Sequence, residues 1–378
     1  MIIGIDASNI RAGGGLTHLV ELLRVSNPIA HGFSKIIIWS GKNTLNSIAD
    51  RTWLQKNYFS VLDDSLVNRI LWQKFSLSKL ALTSGCDVLF VPGGSYTGSF
   101  RPMVTMSQNL LPFEWREIRR YGFTLLSVRL ILLRWIQSKT FHKADGLIFL
   151  TKYARNIVLQ KLKKIKGKMT VIPHGIDKRF INAPKKHMPL EHYSIDLPFR
   201  ILYVSIIDMY KHQWHVADAV VKLRSLGFPI VLDLIGPSYK PALKRLRRML
   251  NLIDPDGKIV RYWGKIPYEK MHTFYNDADL CVFASSCETF GQILIEAMSS
   301  GLPIACSDRS AMSELLGDAG VYFDPEKPES IANAIEKLIT SPEKRDKNAY
   351  LAHERAKKYS WEKCASDTFS FVRLVAET

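Results

Sequence analysis

Short runs of β-branched and apolar residues, each followed by a longer amphipathic segment, constrain this fold more than any other sequence feature. Most runs are continuously apolar, which is typical of strands buried on both faces of a parallel sheet. Parallel strands need crossover connections, so the alternation predicts right-handed βαβ units in an α/β protein. The predicted strands are Ile2–Ile5, Lys35–Trp39, Val88–Val91, Met103–Met106, Gly146–Leu150, Met169–Ile172, Arg200–Ser205, Ile230–Ile235, Lys258–Tyr262, Leu280–Ala284, Pro303–Cys306 and Val321–Phe323.

The series of strands and helices is interrupted once. Residues 174–198 are rich in Pro, His and charged residues and lack sustained periodicity, as an interdomain connection would. We therefore predict two doubly wound domains, with a site at the carboxyl ends of their strands. The predicted ranges are an N-terminal domain at 1–175, a linker at 176–198, a C-terminal domain at 199–358, and a C-terminal helix at 359–378 that returns to the N-terminal domain.

The chain has a formal net charge of +17, and one half carries all of the excess. Residues 1–190 contain 28 Lys and Arg against 10 Asp and Glu, whereas residues 191–378 contain 24 against 25. This distribution indicates an acidic partner, such as nucleic acid, an anionic membrane or a phosphorylated substrate. No helix-turn-helix, RRM-like or zinc pattern favours nucleic acid.

The basic half also contains the most membrane-like stretch, Tyr121–Ile136. Arg129 and Arg134 interrupt it, so it is too short and too charged to span a bilayer. The wider segment Arg116–Lys143 mixes basic and large apolar residues, as a helix on an anionic membrane surface does, and Lys161–Lys168 adds a second basic run. No signal peptide is expected at the N-terminus, and the five cysteines are expected to be reduced. We predict a cytoplasmic protein, peripheral on the inner face of the cytoplasmic membrane.

The most informative segment is Ser285–Gly301, which follows a predicted strand and opens a helix. Glu288 lies in the loop, and Glu296 lies about two helical turns later. Gly291 would let a ligand approach the backbone, and the N-terminus of a helix favours an anion such as pyrophosphate. Carboxylates nearby would accept hydrogen bonds from sugar hydroxyls. Alternatively, Glu288 lies near a helix N-cap and Glu296 is an ordinary surface residue.

The run Glu288–Met298, ETFGQILIEAM, resembles the retaining GT-B glycosyltransferases of family 4, whose hallmark is two Glu separated by seven residues. The residues after it, Gly301–Ile304 and Glu314–Leu316, are also similar to the family. The resemblance implies the GT-B fold, in which two Rossmann-like domains face a central cleft. It implies that Glu288 approaches the donor sugar and Glu296 binds the nucleotide ribose. The backbone is implied to meet the sugar and diphosphate at Phe290, Gly291, Gln292 and Ile293.

Residues 199–215 resemble the first strand, loop and helix of the family's second domain. Lys211 falls at the position of the pyrophosphate-binding Lys, where a cation neutralises charge that develops on the leaving diphosphate. The family often has Gly-Arg where this chain has Ser205 and Ile206, so charge compensation is expected to rest on Lys211 and backbone amides, or on another residue that the sequence does not identify. The resemblance also makes Gly264, Lys265 and Ile266 candidates for contact with the nucleotide base.

The predicted N-terminal domain contributes two further candidate groups. A glycine-rich loop, Arg11–Leu16, follows the first strand and precedes a helix predicted from His18. The family's loop here closes over the donor phosphates and the acceptor, which implies contacts at Gly14 and Gly15. Many relatives carry a His-Asp pair near the fourth strand's end, where this chain has Gln108 and Asn109. These amides can bind acceptor hydroxyls but cannot act as a general base, and alternatively they cap local backbone.

The resemblance implies a retaining hexosyltransferase with Glu288 and Lys211 as catalytic residues, and we expect it to be metal-independent. It would move a sugar from a nucleotide-diphosphate sugar to a glycan acceptor on polyprenyl diphosphate, in O-antigen, lipopolysaccharide or capsule assembly. No cofactor beyond the nucleotide sugar is expected. The alternatives are a sugar-nucleotide epimerase or hydrolase on the same fold, or a basic nucleic-acid- or lipid-binding protein without catalysis.

Overall fold

A computed structural model describes residues 1–378, which form two compact units. The first unit contains Met1–Gly175 together with Tyr359–Thr378, and the second contains Ile176–Lys358. The chain therefore leaves the first unit after Gly175 and returns to it at Tyr359. The first unit has 26 Lys and Arg against 12 Asp and Glu, a net charge of +14, and the second has 26 against 23, a net charge of +3.

The residues predicted as a linker, 176–198, form part of the second unit. Phe180 is fully buried, and its ring centroid lies 5.4 Å from that of Tyr268 and 5.6 Å from that of Tyr275. His187 bonds through Nδ1 to the Asp346 carboxylate over 2.7 Å. Apolar anchoring at one position and a polar contact at another fix this irregular segment on the unit, although its sequence lacks periodicity.

The first unit is built on a seven-stranded parallel sheet in the order β3-β2-β1-β4-β5-β6-β7. The residues of β4, β5 and β6 are all buried, which explains their continuously apolar sequences. The structure adds one strand, β3, to the six predicted here. The strands are β1 Ile2–Asp6, β2 Lys35–Ser40, β3 Leu54–Tyr58, β4 Val88–Val91, β5 Met103–Ser107, β6 Gly146–Phe149 and β7 Lys168–Val171.

Helices connect these strands and complete the first unit. Its first helix begins at Gly13, five residues before the predicted start, so the glycine-rich segment forms the first helical turn. The helices are α1 Gly13–Val25, α2 Lys42–Asn46, α3 Leu66–Trp72, α4 Ser78–Thr83, α5 Trp115–Arg119, α6 Leu125–Lys143 and α7 Lys152–Lys161, with the returning C-terminal helix α15 Trp361–Ala376. None of the helices in the structure combines the length and apolar character needed to cross a membrane.

The second unit has a six-stranded parallel sheet in the order β10-β9-β8-β11-β12-β13. All six strands overlap the predicted ones. The strands are β8 Phe199–Val204, β9 Ile230–Ile235, β10 Val260–Tyr262, β11 Leu280–Phe283, β12 Ile304–Ser307 and β13 Val321–Phe323. The helices are α8 Gln213–Ser225, α9 Lys240–Ile253, α10 Met271–Asp277, α11 Gln292–Ser299, α12 Met312–Leu316, α13 Pro328–Ile339 and α14 Pro342–Ala356.

Each sheet has one point at which the strand order reverses. In the first sheet β1 lies between β2 and β4, and in the second β8 lies between β9 and β11. Connections on the two sides of such a point run over opposite faces, which leaves a crevice outside the carboxyl ends of the strands. The loops after β8 and β11 therefore flank the expected ligand crevice of the second unit.

Gly175 marks the place where the returning segment contacts the first unit. A Cβ atom at Gly175 would lie 2.1 Å from the backbone nitrogen of Trp361 and 2.4 Å from its Cα. The Trp361 side chain is 2% exposed, and its ring packs against His18 and His174, with centroids 6.0 and 5.6 Å away. The close backbone approach at Gly175 thus seats the start of α15 on the unit.

We expect Gly175→Ala to lower the free energy of unfolding by about 2 kcal/mol or more, because the added methyl group would collide with backbone atoms of Trp361. Guanidinium denaturation followed by circular dichroism measures this change. Gly14→Ala is the matched control, since a Cβ there would meet nothing within 4 Å. Equal stability of both variants and the wild type would contradict the close packing of α15 at Gly175.

Candidate functional site

An ion pair between Lys211 and Glu288 lies at the reversal point of the second sheet. Lys211 is in the loop after β8, Glu288 is in the loop after β11, and the Lys211 ammonium donates to the Glu288 carboxylate. Both side chains are largely withdrawn from water, with 6% of Lys211 and 17% of Glu288 exposed. Removing one partner would leave a desolvated charge without compensation, so each group requires the other in this state of the protein.

The backbone around Lys211 is fixed from several sides. The Tyr203 hydroxyl donates to the Lys211 carbonyl oxygen over 2.6 Å. His212, the residue before α8, has φ = +53°, in the left-handed region that side chains rarely adopt. The Gln213 amide donates to the Ile206 carbonyl over 2.8 Å and ties the start of α8 to the end of the preceding strand. These contacts direct Lys211 towards the loop that carries Glu288.

The second carboxylate, Glu296, occupies a different environment. It lies on α11, is 3% exposed, and accepts hydrogen bonds from Tyr268 over 3.3 Å and Tyr275 over 3.0 Å. Burial raises its pKa to about 7, although the two tyrosine hydroxyls favour the carboxylate. The burial excludes the alternative that Glu296 is an ordinary surface residue, and it leaves a group that titrates near neutral pH.

The segment between the two carboxylates brings backbone to the same edge of the sheet. Gly291 adopts φ = +87° immediately before α11, and a Cβ there would lie 2.9 Å from the methyl carbon of Met312. Phe290 is buried, whereas Gln292 and Ile293 are partly exposed in the first turn of α11. The helix starts without a side-chain cap. The N-terminus of α11 is therefore suited to bind an external hydrogen-bond acceptor such as a phosphate oxygen.

Gly264, Lys265 and Ile266 follow β10 at the same edge of the second sheet. The Gly264 carbonyl accepts from the backbone N–H of Gly236, which follows β9, over 2.8 Å. Gly264 has φ = +69°, and the Lys265 side chain is exposed. All predicted donor residues of the second unit thus lie in loops at the carboxyl ends of its strands or on α11.

The candidate residues of the first unit are also near one another. A Cβ at Gly15 would lie 3.4 Å from the amide oxygen of Gln108, whose nitrogen lies 3.4 Å from Nδ1 of His18. Asn109 behaves differently, because its side-chain oxygen accepts from the backbone N–H of Leu111 over 3.0 Å. Gln108 therefore lies beside the glycine-rich turn, whereas Asn109 caps local backbone, the alternative given for both residues.

One group of potential metal ligands lies in the first unit. His18, His174 and Cys364 are buried, with their ligand atoms within 4.8 Å of one another. Ligands of a tetrahedral zinc site are closer, roughly 3.5 Å apart for bonds of about 2.0–2.3 Å. Burial lowers the pKa of His18 to about 4 and raises that of the Cys364 thiol to about 12. These three groups are thus neutral and lie buried together in the first unit.

Sequence reasoning missed three residues that shape the site. Tyr268 and Tyr275 precede Glu296 by 28 and 21 residues, and only the fold brings their hydroxyls to its carboxylate. Ser310 contacts the Glu288 backbone from the loop after β12. Tyrosine and serine at these positions form no local motif. Only the tertiary structure identifies them, because it brings the ends of neighbouring parallel strands to one edge of the sheet.

The architecture is that of the GT-B glycosyltransferase structures, as the sequence predicted. The structure of WaaG, described as a glycosyltransferase involved in lipopolysaccharide biosynthesis, matches with a TM-score of 0.70 at 13% identity, covering 98% of this chain and 99% of that one. Anabaena HepE, solved in complex with UDP-glucose, matches with a TM-score of 0.71 at 15% identity, covering 98% and 99%.

Residues 193–355 match the family model described as glycosyl transferases group 1, and these residues lie within the second unit. The O-antigen chain mannosyltransferase B of Escherichia coli is 33% identical over 116 residues, which are 31% of this chain and 30% of that protein. The chain spans between 30% and 60% of the length of the first curated relatives that it matches.

We expect Glu296→Gln to stabilise the second unit at pH 8 by about 3 kcal/mol more than at pH 4, because the raised pKa of Glu296 makes ionisation of the folded protein costly. In the folded protein Glu296 stays protonated until about pH 7, whereas in the unfolded chain it ionises from about pH 4.5. The free energy of unfolding of the wild type therefore falls as the pH rises from about 4.5 to 7. Denaturation at pH 4, 6 and 8 measures the difference. A gap between wild type and variant that stays constant with pH would contradict the pKa shift.

Proposed function

We propose that this protein is a retaining glycosyltransferase that moves a sugar from a nucleotide-diphosphate sugar to a glycan acceptor. The observation that carries the proposal is the Lys211–Glu288 ion pair at the reversal point of the second sheet, in a unit whose residues 193–355 match the glycosyl transferases group 1 model. Lys211 would contact the donor diphosphate and Glu288 the transferred sugar. Glu296, held between two tyrosine hydroxyls, would accept hydrogen bonds from the ribose.

The proposed chemistry follows from the charges at the site. The acceptor hydroxyl would attack from the face on which the diphosphate departs, and a leaving phosphate oxygen would take its proton. The Lys211 ammonium and the first turn of α11 would stabilise the negative charge that develops on the diphosphate. Ser205 and Ile206 follow β8, so neither of these two positions supplies an arginine. We further propose that no divalent ion is required, so that EDTA leaves the rate unchanged.

The first unit would bind the acceptor. Gly14 and Gly15 lie in the first turn of α1, which has neither a side-chain cap nor an acidic residue in that turn. Such a turn attracts phosphate oxygens. Gln108, beside Gly15, would hydrogen-bond acceptor hydroxyls. We propose a polyprenyl-diphosphate-linked glycan as the acceptor, because its diphosphate suits a unit of net charge +14 and the relatives include an O-antigen mannosyltransferase.

We expect Glu288→Gln to lower kcat about a hundredfold or more while the protein remains folded, because the isosteric amide keeps the shape but removes the carboxylate beside the sugar. Release of nucleotide from UDP-, GDP- and dTDP-sugars, with and without a lipid-linked glycan, measures the rate. Glu329→Gln is the matched control, since Glu329 forms an exposed ion pair with Lys222 in the same unit. Unchanged transfer in Glu288→Gln would overturn the site assignment.

The same panel of nucleotide sugars tests donor binding directly. A donor at about a hundredfold its Kd should stabilise the protein by about 2.7 kcal/mol, which a thermal-shift assay detects. Release of nucleotide that does not depend on the acceptor would indicate a hydrolase, and interconversion of the donor sugar would indicate an epimerase. No response to any nucleotide sugar would contradict the proposed function.

We also propose that helix α6 holds the protein on the anionic inner face of the cytoplasmic membrane. One face of α6 packs into the unit through residues such as Leu130 and Phe141. The opposite face exposes an apolar stripe at helical spacing, with exposed fractions of 53% for Leu132 and 57% for Trp135. The stripe consists of Leu125, Val128, Leu132 and Trp135.

Basic groups accompany the stripe and define the proposed partner. Lys139 lies one turn beyond Trp135, and its ammonium is 3.5 Å from the centroid of a Trp135 ring. Arg129 is exposed on the same helix, and Phe123, just before the helix, is fully exposed. Apolar side chains flanked by cations match a leaflet of acyl chains beneath anionic headgroups.

We expect the double substitution Leu132→Gln and Trp135→Gln to weaken binding to phosphatidylglycerol-containing vesicles by about tenfold or more, because two apolar side chains lose their burial in the leaflet. Vesicle co-sedimentation at low and physiological salt measures the affinity. Leu226→Gln with Leu252→Gln is the control, since those residues are 73% and 79% exposed in the second unit. Equal binding of both double variants would contradict docking through α6.

A further inference from the structure

The hydroxyl of Ser310 bonds to both backbone polar groups of Glu288. The Glu288 N–H donates to Ser310 Oγ over 2.7 Å, and the Ser310 hydroxyl donates to the Glu288 carbonyl oxygen over 2.8 Å. Ser310 lies in the loop after β12 and Glu288 in the loop after β11, and the two strands are paired in the sheet. A single hydroxyl thus uses its hydrogen and a lone pair to hold the backbone of the residue next to the proposed reacting sugar.

Ser310 adopts a backbone conformation that serine rarely tolerates. Its φ is +62°, in the left-handed region where Cβ crowds the following carbonyl oxygen and glycine is favoured. The chain has three non-glycine residues of positive φ: Lys164, His212 and Ser310. Two of them are attached to the ion pair, since His212 directly follows Lys211 and Ser310 holds Glu288. Disfavoured conformations of this kind persist where surrounding contacts impose them, often at active sites.

The Glu288 backbone needs support of this kind because the residue lies in neither a helix nor a strand. Its two neighbouring elements, β11 and α11, end at Phe283 and begin at Gln292, so several loop residues separate Glu288 from each. Besides its ion pair with Lys211, Glu288 is held by these two backbone bonds, while the loop before it is held by the Ser286 N–H, which donates to the Tyr210 carbonyl oxygen over 2.9 Å. A donor diphosphate that attracts the Lys211 ammonium would weaken the ion pair but leave the Ser310 bonds in place.

We propose that Ser310 is a positioning residue that fixes the Glu288 carboxylate beside the donor sugar while Lys211 contacts the diphosphate. This inference rests on the function proposed above. Glycine would relieve the left-handed strain at this position, but it cannot supply the hydroxyl. Misplacement of a reacting group by about 1 Å can lower a rate about a hundredfold. A hydroxyl that makes two hydrogen bonds to the Glu288 backbone can therefore govern turnover without contacting substrate.

The test compares Ser310→Gly with Ser310→Asn. Ser310→Gly is expected to keep or raise Tm, since it removes the strain, and to lower kcat about tenfold while the KM for the nucleotide sugar changes less than about twofold. Asparagine tolerates the left-handed region and can both donate and accept hydrogen bonds, so Ser310→Asn is expected to recover part of the lost kcat. In a Glu288→Gln background, Ser310→Gly is expected to cause no further loss, because the group that it positions is already absent.

The results separate the two proposals. An active wild type with an unaffected Ser310→Gly variant would overturn the positioning role alone. A lowered Tm together with a further loss of rate in the Glu288→Gln background would also overturn it, because a structural role would then explain the effect. A wild type that turns over no nucleotide sugar would contradict the proposed function, and the positioning role would fall with it.

Discussion

The arrangement of the second unit depends on a buried attraction between one cation and one anion. Lys211 and Glu288 come from loops 77 residues apart in sequence, and each is mostly withdrawn from water. Charges in such a place are tolerated only when paired, so the loops after β8 and β11 cannot move independently. The contacts around the pair follow from this constraint: Tyr203 holds the Lys211 backbone, and Ser310 holds that of Glu288. A polyanionic ligand would then replace the Glu288 carboxylate as the partner of the Lys211 ammonium.

The two glutamates of the motif show how environment assigns different properties to the same side chain. Glu288 is compensated by a full positive charge, whereas Glu296 has only two hydroxyl dipoles and is raised to a pKa of about 7 by burial. A group of that kind exchanges its proton with small changes in its surroundings. A ligand hydroxyl that donates to Glu296 would favour the ionised form, so binding at this position would release a proton near neutral pH.

The fold was predictable wherever a buried strand has a continuous run of apolar residues. Most of the thirteen strands are apolar runs, and all twelve predicted strands overlap strands of the structure. The exception, Leu54–Tyr58, reads LQKNY and lies at the edge of its sheet, where none of its five residues is fully buried, so no apolar run marks it. Glycines also misled the prediction at Gly13, since their low helix propensity indicated a loop where the first turn of α1 forms. The Glu–Glu motif and Lys211 were visible locally, whereas Tyr268, Tyr275 and Ser310 depend on strand order alone.

The return of residues 359–378 to the first unit has a consequence for how the chain is made. The second unit is a single uninterrupted segment, so it can fold on the ribosome as soon as Lys358 has emerged. Residues 1–175 are synthesised earlier but lack α15 until residues 361–376 have been made. Until then, His18 and His174 have no Trp361 against them, and the face of the sheet at Gly146, on the interior strand β6, lacks Phe371 and Val375. The part of the molecule made first is therefore completed last, and its unfinished apolar surface is what a nascent-chain chaperone would meet.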